Sequence, residues 1–382
     1  MTDIKNKRFC LITHFYTTGT ASRVEEYLIR KKVKSILFIG HSFSYRQDTR
    51  SFLKKYEKGK LVEDNKHVVW RGPDLIFYLR DVFLTLYWTY KEPKFDAIIC
   101  WDSLNAFTGV LLKLLGKTKK LVFYTIDYVP DRFSNSVLNT IYHWFDRFAL
   151  RNCDLVWNLS SAMTDARETK GVKQIYRKKQ MEVPFAIEKY YSPLPVNKID
   201  RYRIVFASHL RPRTGIETLI NVMPQIVKRI PYANLLVIGT GPLEKDLRKK
   251  VKNMKLNKHI RFTGYIEKYS DVEDLFLKSA IGVAPYTDDA KTFTRYADPG
   301  KPKDYLACGL PVVITKVPPV AYKIDKFKCG IAVEDDKEEI AAAIISLLTN
   351  RKKLVEYRKN AYKFAQKFST DKVYTKAFKM TF

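Results

Sequence analysis

"YRIVFASHLRPRTGIETLINVMPQIVKRIPYANLLVIGTG", residues 202–241, decides the fold. Its two apolar, β-branched runs, "YRIVFASHL" and "ANLLVIGTG", read as strands, and "TGIETLINVMPQIVKRI" between them reads as a helix. Continuous apolar runs, rather than alternating ones, mark strands buried on both faces. Strands of that kind alternating with helices build a doubly wound parallel sheet.

The pattern continues toward the C-terminus. "IRFTGYI", "IGVAPY" and "PVVITK" are strands, and "PLEKDLRKKVKNM", "VEDLFLKS", "KDYLACG" and "KEEIAAAIISLLTN" are helices. It also appears in the first half, where "RFCLITHF", "VKSILFIGHSF", "FDAIICWD" and "KLVFYTIDYVP" are strands and "TASRVEEYLIRKK" a helix. "SPLPVNKID", residues 192–200, reads as a linker between the halves. The expectation is an α/β protein of two doubly wound, Rossmann-like domains, 1–195 and 200–360, facing across a cleft. Residues 361–382 form a C-terminal helix packing back on the first domain.

The chain has 382 residues, 46% of them hydrophobic, enough for two cores. Lys and Arg number 69 against 40 acids, a net +29 that attracts nucleic acid, anionic lipid or phosphorylated substrates. No recognition helix, zinc pattern or aromatic sheet supports nucleic acid. Cys10, Cys100, Cys153, Cys308 and Cys329 are odd in number and widely spaced, which fits reduced core thiols of a cytosolic protein. The N-terminus has no signal-like apolar core. The longest apolar run, "LIFYLRDVFLTLYWTY" at 75–90, is too short to span a bilayer and is interrupted by Arg80 and Asp81.

In open parallel sheets ligands bind outside the carboxyl ends of the strands, so the loops there are the candidate sites. "DPGKPKDYLACGLPVV", 298–313, sets Lys301 and Lys303 at the start of a helix, where free N–H groups and a partial positive charge suit a diphosphate. Asp304 in the first turn can accept sugar hydroxyls. "GTGPLEKDL" lacks the third glycine of a dinucleotide fingerprint, so Gly241 is either a structural turn or a point of close approach to a nucleotide. "SHLRPRTG" offers Arg211 and Arg213, which can fork onto phosphate oxygens or stand in solvent. In the first half, Thr18, Gly19 and Thr20 form a glycine-containing loop after the first strand. Asp127 ends another strand, as a general base or as a turn cap.

In order, "GPLEKDL", "IRFTGYI", "IGVAPY" and "PGKPKDYLACGLPVVIT" resemble the nucleotide-sugar half of the group 1 glycosyltransferases, members of the glycosyltransferase-B fold. The resemblance spans about residues 200–350. It implies a nucleoside-diphosphate sugar, UDP- or GDP-linked, held by the second domain, and an acceptor held by the first, with no cofactor. Lys301 matches the diphosphate-contacting lysine, and Asp304 the second acid of the family's paired-glutamate motif. Tyr265 and Ile266 fall where backbone meets the base. The first acid of the pair is Tyr296 here, with Asp298 close by to compensate. His209 and Thr214 occupy the family's Arg and Lys positions, which leaves Arg211 and Arg213 as substitutes. Where many relatives have a histidine after a first-domain strand, this chain has Asp127, which implies a base that inverts the anomeric centre. No Asp-x-Asp triplet calls for a metal.

Aromatic and basic residues in "LIFYLRDVFLTLYWTY" and "LNTIYHWFDRFALR" suit interfacial helices. The expectation is therefore a peripheral enzyme on the anionic inner face of the membrane, with a lipid-linked or polysaccharide acceptor. The rival readings are a nucleotide-sugar epimerase of the same fold and a non-catalytic polyanion-binding protein.

Overall fold

The computed structural model describes residues 4–14, 19–67, 72–289 and 292–382. The chain forms two compact units, Met1–Ala186 with Thr370–Phe382, and Ile187–Ser369. Residues 192–200, read as a linker, thus lie inside the second unit, where Tyr191 N–H donates to the Ala307 carbonyl.

The first unit is built on eight strands: β1 (Arg8–His14), β2 (Ser35–His41), β3 (Phe52–Glu57), β4 (Lys60–Lys66), β5 (Phe95–Trp101), β6 (Thr118–Thr125), β7 (Leu155–Asn158) and β8 (Gln180–Glu182). Their order is β4-β3-β2-β1-β5-β6-β7-β8. β2, β1, β5, β6, β7 and β8 run parallel, as the apolar runs require, but β3 and β4 add an antiparallel edge hairpin that corrects the purely parallel expectation. Its turn is Lys58–Gly59, both left-handed at φ 47° and 83°, the combination that matches strand twist in a two-residue hairpin. β4 is exposed along its length, and its charged side chains suit an edge. The last helix, Thr370–Thr381, returns to this unit. Phe378 packs on Phe9, Tyr27 and Trp157 at ring separations of 5.3–5.7 Å.

The second unit carries β9 (Arg203–Ala207), β10 (Asn234–Ile238), β11 (Ile260–Gly264), β12 (Ile281–Ala284), β13 (Val312–Thr315) and β14 (Gly330–Val333). All are parallel, in the order β11-β10-β9-β12-β13-β14. Leu219, Ile220, Met223 and Ile226, spaced along the helix Ile216–Arg229, bury one sheet face against Ile204, Phe206, Leu235 and Val237. Tyr305 and Leu306 help to cover the other. The chain order reverses between β9 and β12, and in the first sheet between β1 and β5. These are the switch points where such sheets leave room for ligands. All five cysteines are buried and free.

Candidate functional site

In the second unit the loops after β9 and β12 meet at the switch point. Gly215 closes the first of them at φ 79°, and a Cβ there would lie 1.6 Å from the Pro285 carbonyl oxygen. Only glycine permits that approach. Gly241 plays the same part beside it, since its Cβ would strike the Leu210 carbonyl at 2.3 Å. Of the two readings of this glycine, the close approach is to the chain's own backbone.

The helix Gly300–Ala307 starts from the loop after β12. Lys301 keeps a half-exposed ammonium 3.7 Å from Asp304 and 5.4 Å from the Tyr269 ring. Burial, reinforced by the Asp304 charge, pushes the Tyr269 phenol far above its ordinary value, so it stays a neutral donor beside that carboxylate. Lys301, Asp304 and Tyr269 thus form one polar corner. Lys303 does not join it. Its side chain is fully buried, paired with the equally interior Asp298, its ammonium 4.1 Å from the Phe368 ring centroid. Two residues expected to face a ligand are therefore an internal ion pair, because the two positions from Lys301 to Lys303 turn the side chain by about half a circle.

Arg211 is exposed, its guanidinium 5.7 Å from the Phe293 ring centroid. Arg213, left-handed at φ 67°, ion-pairs with Asp289 at 2.8 Å. Tyr296 sits in the same loop, its N–H on the Phe293 carbonyl. At the end of β11, Tyr265 is exposed after the left-handed Gly264, and Ile266 packs into the core.

In the first unit, Thr18 lies outside the described residues. Gly19 caps the helix Thr20–Arg30, and the buried Thr20 hydroxyl accepts from the Trp101 indole at 2.9 Å. Asp127 follows β6. Arg132 reaches its carboxylate and its carbonyl, each at 3.0 Å. Half of the Asp127 side chain stays open to solvent, yet the surrounding protein pushes its pKa up; the Asp102 charge adds to this and Arg132 opposes it.

A second group of residues escaped the sequence reading. His14 ends β1, and Asp102 follows β5, both at the switch point of this sheet. His14 Nδ1 lies 2.8 Å from Asp102 and Nε2 lies 3.2 Å from Asp81. Burial works to lower the His14 pKa, but the Asp102 charge and hydrogen bond, joined by Asp81, carry it to about 9. Behind it Asp81 binds Arg80, and His41 is held neutral by burial, its pKa near 4. The signal was present: "FDAIICWD" ends in an acid, as "KLVFYTID" does, and "RFCLITH" ends in histidine. Among the described residues no group of His, Cys, Asp and Glu is placed to hold a metal ion.

These two halves define a glycosyltransferase-B fold. The chain superposes on HepE of Anabaena in complex with UDP with a TM-score of 0.73 at 14% identity, covering 98% of this chain and 99% of that one. It matches a sucrose-phosphate synthase from Thermosynechococcus elongatus equally well, with a TM-score of 0.73 at 16% identity and 98% of each chain. Residues 195–364, somewhat less than half of the chain, match the model of the glycosyl transferases group 1. The GDP-mannose-dependent monoacylated alpha-(1-6)-phosphatidylinositol monomannoside mannosyltransferase of Corynebacterium glutamicum is 34% identical over 110 residues, 28% of this chain and 27% of its own. The chain thus matches about a quarter of that curated relative's length.

Proposed function

We propose that this protein transfers a hexosyl group from a UDP- or GDP-linked sugar to a hydroxyl of a lipid-linked or saccharide acceptor. The observation that carries the donor half is the Lys301–Asp304–Tyr269 corner at the start of a helix, at the switch point of the second sheet. An ammonium and unpaired helix N–H groups stabilise the diphosphate as it leaves. Two nucleotides are kept because the C. glutamicum relative is named as GDP-mannose-dependent and the Anabaena structure holds UDP.

For the acceptor half, Asp127 takes the proton of the attacking hydroxyl. The acceptor oxygen bonds to the anomeric carbon, the bond to the diphosphate breaks, and its electron pair leaves with the phosphate. A base on the side opposite the leaving group inverts the centre. A carboxylate whose pKa is raised is a stronger base, which favours this role.

A membrane surface supplies the acceptor. In the helix Asp74–Tyr90, Leu75, Leu79, Phe83 and Tyr87 recur every fourth residue and are exposed, while Arg80 and Asp81 are buried. Val137, Ile141 and Trp144 are exposed on the helix Ser136–Asn152, and Tyr78–Phe145 ring contact at 6.1 Å joins the two helices. So much apolar surface on a chain of net charge +29 fits an anionic bilayer. No helix among the described residues is long and apolar enough to cross a membrane.

The test is a thermal-shift screen of UDP, GDP and their sugars. One nucleoside diphosphate should stabilise the wild type, and Lys301→Ala should weaken that binding about tenfold or more. Asp127→Ala should bind donor normally and lose transfer. Donor consumed without acceptor would favour the epimerase reading.

A further inference from the structure

The first unit holds a row of alternating charges that the transfer step above does not use: Arg80, Asp81, His14 and Asp102. Arg80 donates two hydrogen bonds to Asp81, at 2.9 and 2.6 Å, and is itself anchored on the Thr49 and Ser42 carbonyls. Asp81 faces one edge of His14 and Asp102 the other. Both ring nitrogens thus point at carboxylates, so His14 is an imidazolium whose protons are committed, and it cannot serve as a base. Its ring stacks on Phe43 at 4.7 Å and is nearly closed to solvent.

The row opens only at Asp102, whose side chain is 30% exposed where those of the other three are under 10%. This carboxylate is immobilised. Oδ1 accepts from the Asn105 backbone N–H at 2.9 Å, and Oδ2 from the Asn105 amide and from His14, both at 2.8 Å. Its backbone is held at φ 67°, ψ 162°, a region nearly confined to glycine. β5 and β6 are neighbours, with Trp101 opposite Tyr124, so Asp102 and Asp127 leave the sheet side by side.

We infer that Asp102, clamped by His14, is the fixed carboxylate of the acceptor site, accepting a hydrogen bond from a second acceptor hydroxyl and so setting the reacting one against Asp127. This rests on the reading of Asp127 as the base. It narrows the acceptor class to a sugar or other polyol, since a lone alcohol offers nothing for Asp102 to hold. It also assigns His14 a purpose: its 2.8 Å hydrogen bond fixes the Asp102 carboxylate, and its charge offsets part of the field that Asp102 exerts on Asp127. The groups facing Asp127 are Arg132 on its own loop, Asp102 after β5 and Tyr142 on the helix Ser136–Asn152. Those facing His14 are Asp81, Asp102 and the neutral His41, with Arg80 behind Asp81.

The test is steady-state kinetics of the full chain with its donor and a polyol acceptor, over pH. Asp102→Asn keeps the helix cap and the shape of the side chain, so it meets the same backbone constraint as the aspartate it replaces. It should raise the acceptor KM at least tenfold and leave the donor KM unchanged. By removing a like charge it should also move the ascending limb of kcat/KM to lower pH. His14→Gln keeps one hydrogen bond to Asp102 and deletes the cation, so it should move the same limb to higher pH. Shifts of opposite sign cannot come from a loss of stability. An unchanged acceptor KM, or limbs moving together, overturns the inference while leaving Asp127 as base. Transfer surviving in Asp127→Ala instead fails the reading beneath it. If Asp102→Asn does not fold, the direction of the His14→Gln limb decides alone.

Discussion

Replacing Lys303 by methionine tests whether the interior ion pair of the second unit is structural. The substitution keeps the side chain's unbranched shape to within one heavy atom and removes its charge. The Lys303 ammonium is fully buried and paired with Asp298, itself 7% exposed, so the variant leaves a carboxylate inside the protein without its cation. Breaking a buried pair from one side costs about 3–5 kcal/mol. The lost contact with the Phe368 ring is a smaller part of the same figure. With a urea m-value of about 2 kcal/mol/M, the unfolding midpoint should fall by roughly 2 M. The chain allows the two units to be followed separately, because all five tryptophans lie between residues 70 and 157, in the first. Tryptophan fluorescence reports that unit, and far-UV circular dichroism reports both. The variant should shift the dichroism transition that has no fluorescence counterpart. Asp298→Asn in the same background should recover part of the loss, because the two changes are coupled. A Lys303→Met protein within about 1 kcal/mol of wild type, with nucleoside-diphosphate binding reduced tenfold, would refute the reasoning and return Lys303 to the ligand.

Gly215→Ala should destabilise the second unit by about 2 kcal/mol or more, since left-handed backbone costs an L-residue about 1–2 kcal/mol and the new methyl meets the Pro285 carbonyl; urea unfolding measures it, and an unchanged midpoint contradicts it. Stability of the first unit should peak near pH 6.5. His14 at about 9 when folded, against about 6.5 unfolded, adds stability that is complete below pH 6.5 and is lost as pH rises through 9, about 3 kcal/mol in all. His41, near 4 when folded, costs a similar amount as pH falls from 6.5 to 4, because only the unfolded chain takes up the proton. Fluorescence-detected urea unfolding between pH 5 and 9.5 checks both limbs, and His14→Gln should flatten the alkaline one. Leu79→Asp with Phe83→Asp should reduce co-sedimentation with anionic vesicles by tenfold or more, at about 1.5–3 kcal/mol per large apolar side chain withdrawn from lipid, without changing the dichroism spectrum.

Periodicity made most of the architecture legible. The buried strands β1, β2, β5, β6, β9, β10 and β12 each stand out as short apolar runs, because a parallel sheet covered on both faces demands them. The β3–β4 hairpin does not, because an exposed edge needs no apolar run. Only the Lys58–Gly59 pair betrays it, and that is a signal of backbone conformation. The Lys301 corner was legible for the same kind of reason, since a helix start after a strand is fixed by the order of the chain. Which neighbouring lysine faces inward depends on where the helix begins, and Pro299 sets that at the N-cap. The His14–Asp102 pair brings together residues 88 positions apart, and no local pattern announces such a contact before the strand order is known.

The helix Asp74–Tyr90 carries the same argument a step further. A surface helix ordinarily turns its charges to water and its apolar stripe to the core. Here Arg80 and Asp81 point inward, and Leu75, Leu79, Phe83 and Tyr87 point outward. Burying a charged pair is costly unless its hydrogen bonds are met, and they are met by His14, Thr49 and Ser42. The inversion therefore links two features that the sequence presents as one interrupted apolar run. The same turn of helix that supplies Asp81 to the acceptor-side charge row supplies Leu79 and Phe83 to the outer face. On the proposed reading, the lipid-facing Leu79 and Phe83 and the Asp81 carboxylate that anchors His14 beside Asp102 are carried by one rigid helix, which would couple bilayer binding to the acceptor site.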